Sequence, residues 1–178
     1  AGHLRVSAAL PWLSTIAVTS TDSSAVSAAR TSIAQLGYPE PTAVEVQKLL
    51  RDRLAGIKSA PMATIDEGTA GRWWSWNPQT KELAAATYAV PQLRALSAAR
   101  LARALGEVGG LAEPNDRRAV LPYSLEESAL HDRDADAALK QVVAAMTPAD
   151  LSAALANAAK EQYTAAAVQI ANELGRRG

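Results

Sequence analysis

The chain has no cysteine, which removes disulfides, thiol nucleophiles and thiolate metal sites while leaving the compartment open. Its only histidines are His3 and His131, so there is almost no room for a histidine-based triad or a three-histidine metal site. Charge of one sign is also lacking: eighteen basic and eighteen acidic side chains cancel, and no global field draws the protein to nucleic acid or an anionic membrane. No apolar run reaches the roughly 18 residues of a membrane span. No phosphate-cradling glycine loop, G-x-S-x-G elbow or dinucleotide fingerprint occurs. The start, AGHLRVSAALPWL, lacks the charged and apolar regions of an intact signal peptide. A cytoplasmic location is expected, with a mature secreted chain as the alternative.

Alanine fills the space left by the missing residue types. There are 40 alanines in 178 residues, no phenylalanine, and more arginine than lysine. Alanine has the highest helix propensity and permits close helix approach, so the composition predicts a mostly α, alanine-rich helical bundle. It also fits a bacterial genome of high GC content. The length suits a single domain over 1–178, with an N-terminal helix pair plus hairpin over 1–90 and a helical half over 91–178.

The clearest helix is Pro91 to Leu105, with proline in its first turn and Gly106 just beyond. Ala95, Ala98, Ala99 and Ala102 form one face, and Leu93, Leu96, Leu101 and Leu105 the opposite arc, so both sides are expected to pack. Arg100 falls within the leucine arc and needs a partner or a path to water. Earlier in the chain, Thr15 to Thr21 alternates like a strand, and Asp22 caps a helix that Gly37 stops after Leu36. Thr42 and Glu45 form a capping box for a helix with Val46, Leu49, Leu50, Leu54 and Ile57 inward.

Residues 60–88 change character and predict a small β-hairpin or three-stranded element. Met62 to Asp66 pairs with Arg72 to Trp76 across EGTAG, and Asn77 to Thr80 turns the chain into Lys81 to Thr87, which is strand or helix. Gly106 to Pro122 reads as a loop, and Ser124 with Glu127 as a capping box. Asp134 is a restart point before the stripe Leu139, Val142, Val143, Met146. Thr147-Pro148 opens a last helix that, uninterrupted, runs about 40 Å and ends at Gly175, with Leu151, Leu155, Ala159, Tyr163, Ala166, Ile170 and Leu174 on one side.

The chemistry-bearing residues are few. Glu127 and His131 are four apart, but a di-iron site needs a second Glu-x-x-His element that is lacking. Asp66-Glu67 and Glu126-Glu127 read as surface charge, because adjacent side chains diverge. No catalytic residue, metal or cofactor is assigned. Arg72, Trp74 and Trp76 share one face of a strand, with Trp73 on the other. Exposed indoles beside arginine make a protein-binding hot spot or a stacking platform for bases. The competing role is bulk for a core without phenylalanine, favoured for Trp74 and Trp76 over Trp73.

Two helices followed by a hairpin form an element order that resembles the latter part of a winged helix-turn-helix, which implies DNA contacts from Thr42, Gln47, Lys48, Arg51 and Arg53 and a wing bearing Arg72. Glu45 and Asp52 dilute that basic surface. The expected function is a non-catalytic interaction or assembly module that presents Arg72, Trp73, Trp74, Trp76 and Arg100 to a protein or nucleoprotein partner, or to a second copy. A winged-helix-like DNA-binding regulator with a dimerising or ligand-sensing helical half is the alternative.

Overall fold

The computed structural model describes residues 7–59, 70–77, 80–132 and 135–177. Among them are eight α-helices and one two-stranded antiparallel sheet, the mostly helical fold with a small hairpin that the composition predicts. The residues form two compact units, 7–58 with 100–116, and 59–99 with 117–177.

The first unit begins with a 3-10 turn, Ser7–Ala9, that leads into α1 (Leu10–Thr19). The strand expected at Thr15 to Thr21 is therefore helical as far as Thr19, and the chain turns extended only at Ser20. Its threonines are accommodated because their hydroxyls bond back one turn, Thr15 Oγ1 to the Pro11 carbonyl (2.9 Å) and Thr19 Oγ1 to that of Thr15 (2.8 Å). Leu10, Ser14 and Ala17, at helical spacing, are buried. Helix α2 (Ser23–Gln35) is capped by the Asp22 carboxylate. It ends at Gly37, whose φ of 84° suits glycine. Leu10, Ala17, Ala29 and Ile33 form the α1–α2 core, with Leu13 and Leu49 against it.

Helix α3 (Ala43–Ser59) opens on the expected capping box: Thr42 N–H donates to Glu45 Oε2 (2.8 Å), and Glu45 N–H to Thr42 Oγ1 (3.3 Å). Val46 and Leu50 are fully buried. Helix α4 (Val90–Glu107) gives this unit its residues from 100 onward, of which Leu101, Ala102, Ala104 and Leu105 are buried. The helix does not stop at Gly106. Its left-handed exit is Gly109 (φ 73°), where Gly109 N–H donates to the Gly106 carbonyl (3.0 Å) and Gly110 N–H to that of Leu105 (2.8 Å).

The second unit holds strands β1 (Ala70–Asn77) and β2 (Glu82–Ala89), residues 90–99 of α4, and most of α5 (Pro114–Leu130). Ala95, Leu96, Ala98 and Ala99 are buried, so alanine and leucine faces of α4 are both enclosed. The loop expected up to Pro122 is helical from Pro114 onward. Proline costs nothing at a first position, and Pro122 is held inside α5 by the burial of Val120, Leu121, Tyr123 and Leu125 around it. Ser124 and Glu127 consequently lie mid-helix and form no capping box.

Helix α6 (Ala137–Ala144) starts at Asp136, whose Oδ1 accepts from Leu139 N–H at 2.8 Å. Helix α7 (Pro148–Lys160) has the full Thr147/Asp150 capping box. The single long helix expected from there is broken before α8 (Thr164–Arg177). Gln162 turns left-handed (φ 61°), and Tyr163 N–H donates to the Ala158 carbonyl at 2.9 Å. The buried side of α7 is Leu151, Ala154 and Ala158, so the stripe is shifted from Leu155 and Ala159; Tyr163, Ala166 and Ile170 are buried as expected.

Glu126 and Glu127, expected on the surface, are only 7% and 8% exposed. Glu126 Oε2 accepts from Ala166 N–H in the first turn of α8 (3.0 Å), so a carboxylate from α5 sits at the positive end of α8. The expected strand Met62 to Asp66, the pair Asp66-Glu67, His3 and Asp134 lie outside the described residues. Among the described residues, no single helix is long and apolar enough to cross a membrane.

Candidate functional site

The hairpin follows from its turn and its alternation. Asn77 pairs with Glu82 at the end of the ladder, Lys81 N–H donates to the Asn77 carbonyl (2.8 Å), and Thr80 N–H to Asn77 Oδ1 (3.3 Å). Lys81 takes the left-handed conformation (φ 56°) that lets the chain reverse. Lys81 to Thr87 is thus settled as strand, shifted by one or two residues to Glu82–Ala89.

The antiparallel register places Arg72, Trp74 and Trp76 opposite Thr87, Ala85 and Leu83. Directly paired residues point to the same side, so these six share one face. Trp74 is 54% exposed, Trp76 59% and Leu83 63%. The core role favoured for Trp74 and Trp76 is therefore wrong, and Trp73 is the partly covered indole.

The alternation was readable, but which face turns inward depends on two contacts at the base of the ribbon. Gly71 lies on the Trp73 side, and a Cβ there would overlap Leu93 Cδ1 of α4. Its cross-strand partner Tyr88 meets the His131 ring edge-on, with centroids 6.4 Å apart. That side docks on helices at the base of the ribbon, with Ala84 and Ala86 farther out exposed, and the Arg72–Trp74–Trp76–Leu83 side is left to solvent. Ala89 N–H donates to Gln92 Oε1 (3.0 Å), which fixes the junction with α4.

Arg72, Trp74 and Trp76 are thus brought together, and Trp73 is on the reverse of the same ribbon. Arg100 is exposed on α4 and belongs to the first unit. Leu83, which completes the exposed apolar patch, was not among the residues expected. Its signal was present in the period of two, once Lys81 to Thr87 is taken as a strand.

The five residues of the nucleic-acid alternative all lie on or beside α3. Thr42 is occupied in the capping box. Gln47 Nε2 donates to the Val108 carbonyl at 2.7 Å. Arg51 makes a two-pronged bond to Asp116 (Nε to Oδ2 3.1 Å, Nη2 to Oδ2 2.9 Å), which raises its pKa further and holds it charged. Lys48 and Arg53 are exposed. Among the described residues, no group of three or more His, Asp or Glu is placed to hold a metal ion.

Compared with protein families, with curated proteins and with solved structures, the chain gives no match in any of the three.

Proposed function

We propose that this protein is a non-catalytic interaction module whose hairpin presents Trp74, Trp76 and Leu83, flanked by Arg72, to a protein partner. The observation that carries the reading is the exposure of two indoles and a leucine on one face of a ribbon whose other face is anchored to helices at its base, through Gly71 and Tyr88. Large apolar side chains grouped in water mark interaction sites, and tryptophan with arginine dominates binding hot spots. Arg72 favours a partner with a carboxylate beside its apolar pocket. Trp73 and the exposed Arg100 belong to the wider set of candidate contacts.

The test is a photo-crosslinker placed at Thr87, an exposed position on the Trp74–Trp76 face, with the same protein carrying Trp74→Ala and Trp76→Ala, and Lys48→Ala as a control. A hot-spot pair makes each tryptophan substitution weaken a captured complex by at least about 30-fold, with the melting temperature kept. A complex equally strong without both indoles rejects the reading.

The DNA-binding regulator has narrower support, the exposed Lys48 and Arg53, because Thr42, Gln47 and Arg51 are engaged within their own unit. Its test is anisotropy of labelled duplex at about 50 and 200 mM salt, where phosphate contacts weaken steeply with salt. Binding lost on Lys48→Ala and Arg53→Ala supports it, and no binding at low salt removes it.

A further inference from the structure

We infer that the second unit carries a binding cleft for a small amphipathic carboxylate, a ligand with one anionic head and a short alkyl body. The cleft encloses about 360 Å³ among α5, α6, α7 and α8, within the size range of small-molecule sites. Leu121, Leu125, Leu151 and Ile170 line it, each almost fully buried, so its inner wall is hydrocarbon. Val143 and Ala144 of α6 add to that wall. Water held against the accessible part of that wall, at Val143 and Ala144, is readily displaced by an alkyl chain.

The polar groups lining the cleft are not balanced in charge. Lys140, Arg176 and Arg177 stand against one carboxylate, Glu173. Glu173 fixes both arginines: its Oε2 accepts from Arg176 Nε (3.0 Å) and Nη2 (2.6 Å), and its Oε1 from Arg177 Nε (2.6 Å). Arg177 is used up structurally, since Nη1 donates to the Met146 carbonyl (2.6 Å) and Nη2 to that of Val143 (2.8 Å), closing the C-terminal end of α6. Arg176 is different. Its side chain is 77% exposed and directs only two of its five N–H groups at Glu173, leaving three donors on a guanidinium already held in place. Lys140 makes no ion pair among the described residues. A positioned arginine and an unpaired lysine at an apolar cleft complement a carboxylate head with an alkyl tail. An alkylammonium meets the same wall but the wrong charge.

The experiment is calorimetric titration of the intact chain with saturated carboxylates of four to twelve carbons, and with the alcohols and amines of equal length. Each methylene that enters the cleft tightens binding about fourfold, and the gain stops once the cleft is full. At equal length the carboxylate binds about tenfold tighter than the alcohol, and the amine more weakly still. Lys140→Gln with Arg176→Gln abolishes the preference for carboxylate over alcohol and leaves the chain-length dependence. Ala144→Trp, on an exposed position of the cleft wall, blocks all three series while the melting temperature stays near that of the parent. No binding at millimolar ligand, amines as tight as carboxylates, or binding unaffected by Ala144→Trp each overturns the inference. None of these results depends on the tryptophan face, so the two proposals stand or fall separately.

Discussion

Glu126 is a single side chain that joins two helices. It projects from α5, is nearly excluded from water, and accepts the N–H of Ala166 where α8 has no partners of its own. Glu126→Ala leaves a buried donor unpaired and removes an anion from the positive end of the helix, a loss of about 2–3 kcal/mol. Glu126→Gln keeps an acceptor without the charge and costs about 1 kcal/mol. Urea unfolding at unchanged slope checks both values, and a cost under about 0.5 kcal/mol for the alanine variant removes the capping role. In the sequence this residue looks like half of an exposed acidic pair, because Pro122 disguises a continuous helix and no local pattern shows what faces Glu126. The tryptophans teach a related lesson. Their alternation is local and readable, whereas the inward face is chosen by Gly71 against Leu93 and by Tyr88 against His131, contacts across 22 and 43 residues of chain.

At the level of elements, helix starts were more legible than helix stops. The caps at Asp22, Thr42 and Thr147 are short side-chain bonds between residues two or three apart, and all three form as the sequence suggests. The stop at Gly37 is equally readable because glycine advertises a left-handed turn. At Gln162 the same turn is written with a residue that disfavours it. It persists because Tyr163 and Ala166 are buried on one side of the break and Ala158 on the other, so packing outweighs the backbone strain. Gln162→Gly relieves that strain, offset in part by greater freedom of the unfolded chain, and raises stability by about 0.5–1 kcal/mol. Gln162→Val, branched at Cβ, lowers it by about 1 kcal/mol or more. The urea midpoints of the two variants are expected to move in opposite directions. A shift in the same direction removes the strain argument. The Thr15 to Thr21 segment errs for the converse reason, since threonine's strand preference yields to the helical spacing of Leu10, Ser14 and Ala17.

Across the whole molecule, the equal numbers of acids and bases hide an asymmetry in how they are used. Several carboxylates serve as caps or clamps and are held below their ordinary pKa by hydrogen bonds: Asp22 by the Ser24 hydroxyl and N–H, Glu45 by the Thr42 N–H and hydroxyl, and Asp150 by the Thr147 hydroxyl and N–H. Glu173 is lowered chiefly by its bond to Arg177. In the unfolded chain these groups return to their ordinary values of 3.8 for Asp and 4.5 for Glu and bind protons first as the pH falls. Stability from these groups is therefore complete above about pH 5 and is lost progressively below about pH 4.5, as the folded state is forced to protonate its caps. Thermal melts between pH 7 and pH 3 should show a level melting temperature down to about pH 5 and a decline below it. The double variant Glu45→Gln, Asp150→Asn is expected to melt lower than the parent at pH 7 and to decline less steeply in acid, so that the gap narrows as the pH falls toward the lowered folded pKa values of the parent's carboxylates. A parent profile level down to pH 3, or a constant gap between parent and variant, shows that these bonds bind the proton equally well in both states and contribute nothing that depends on their charge.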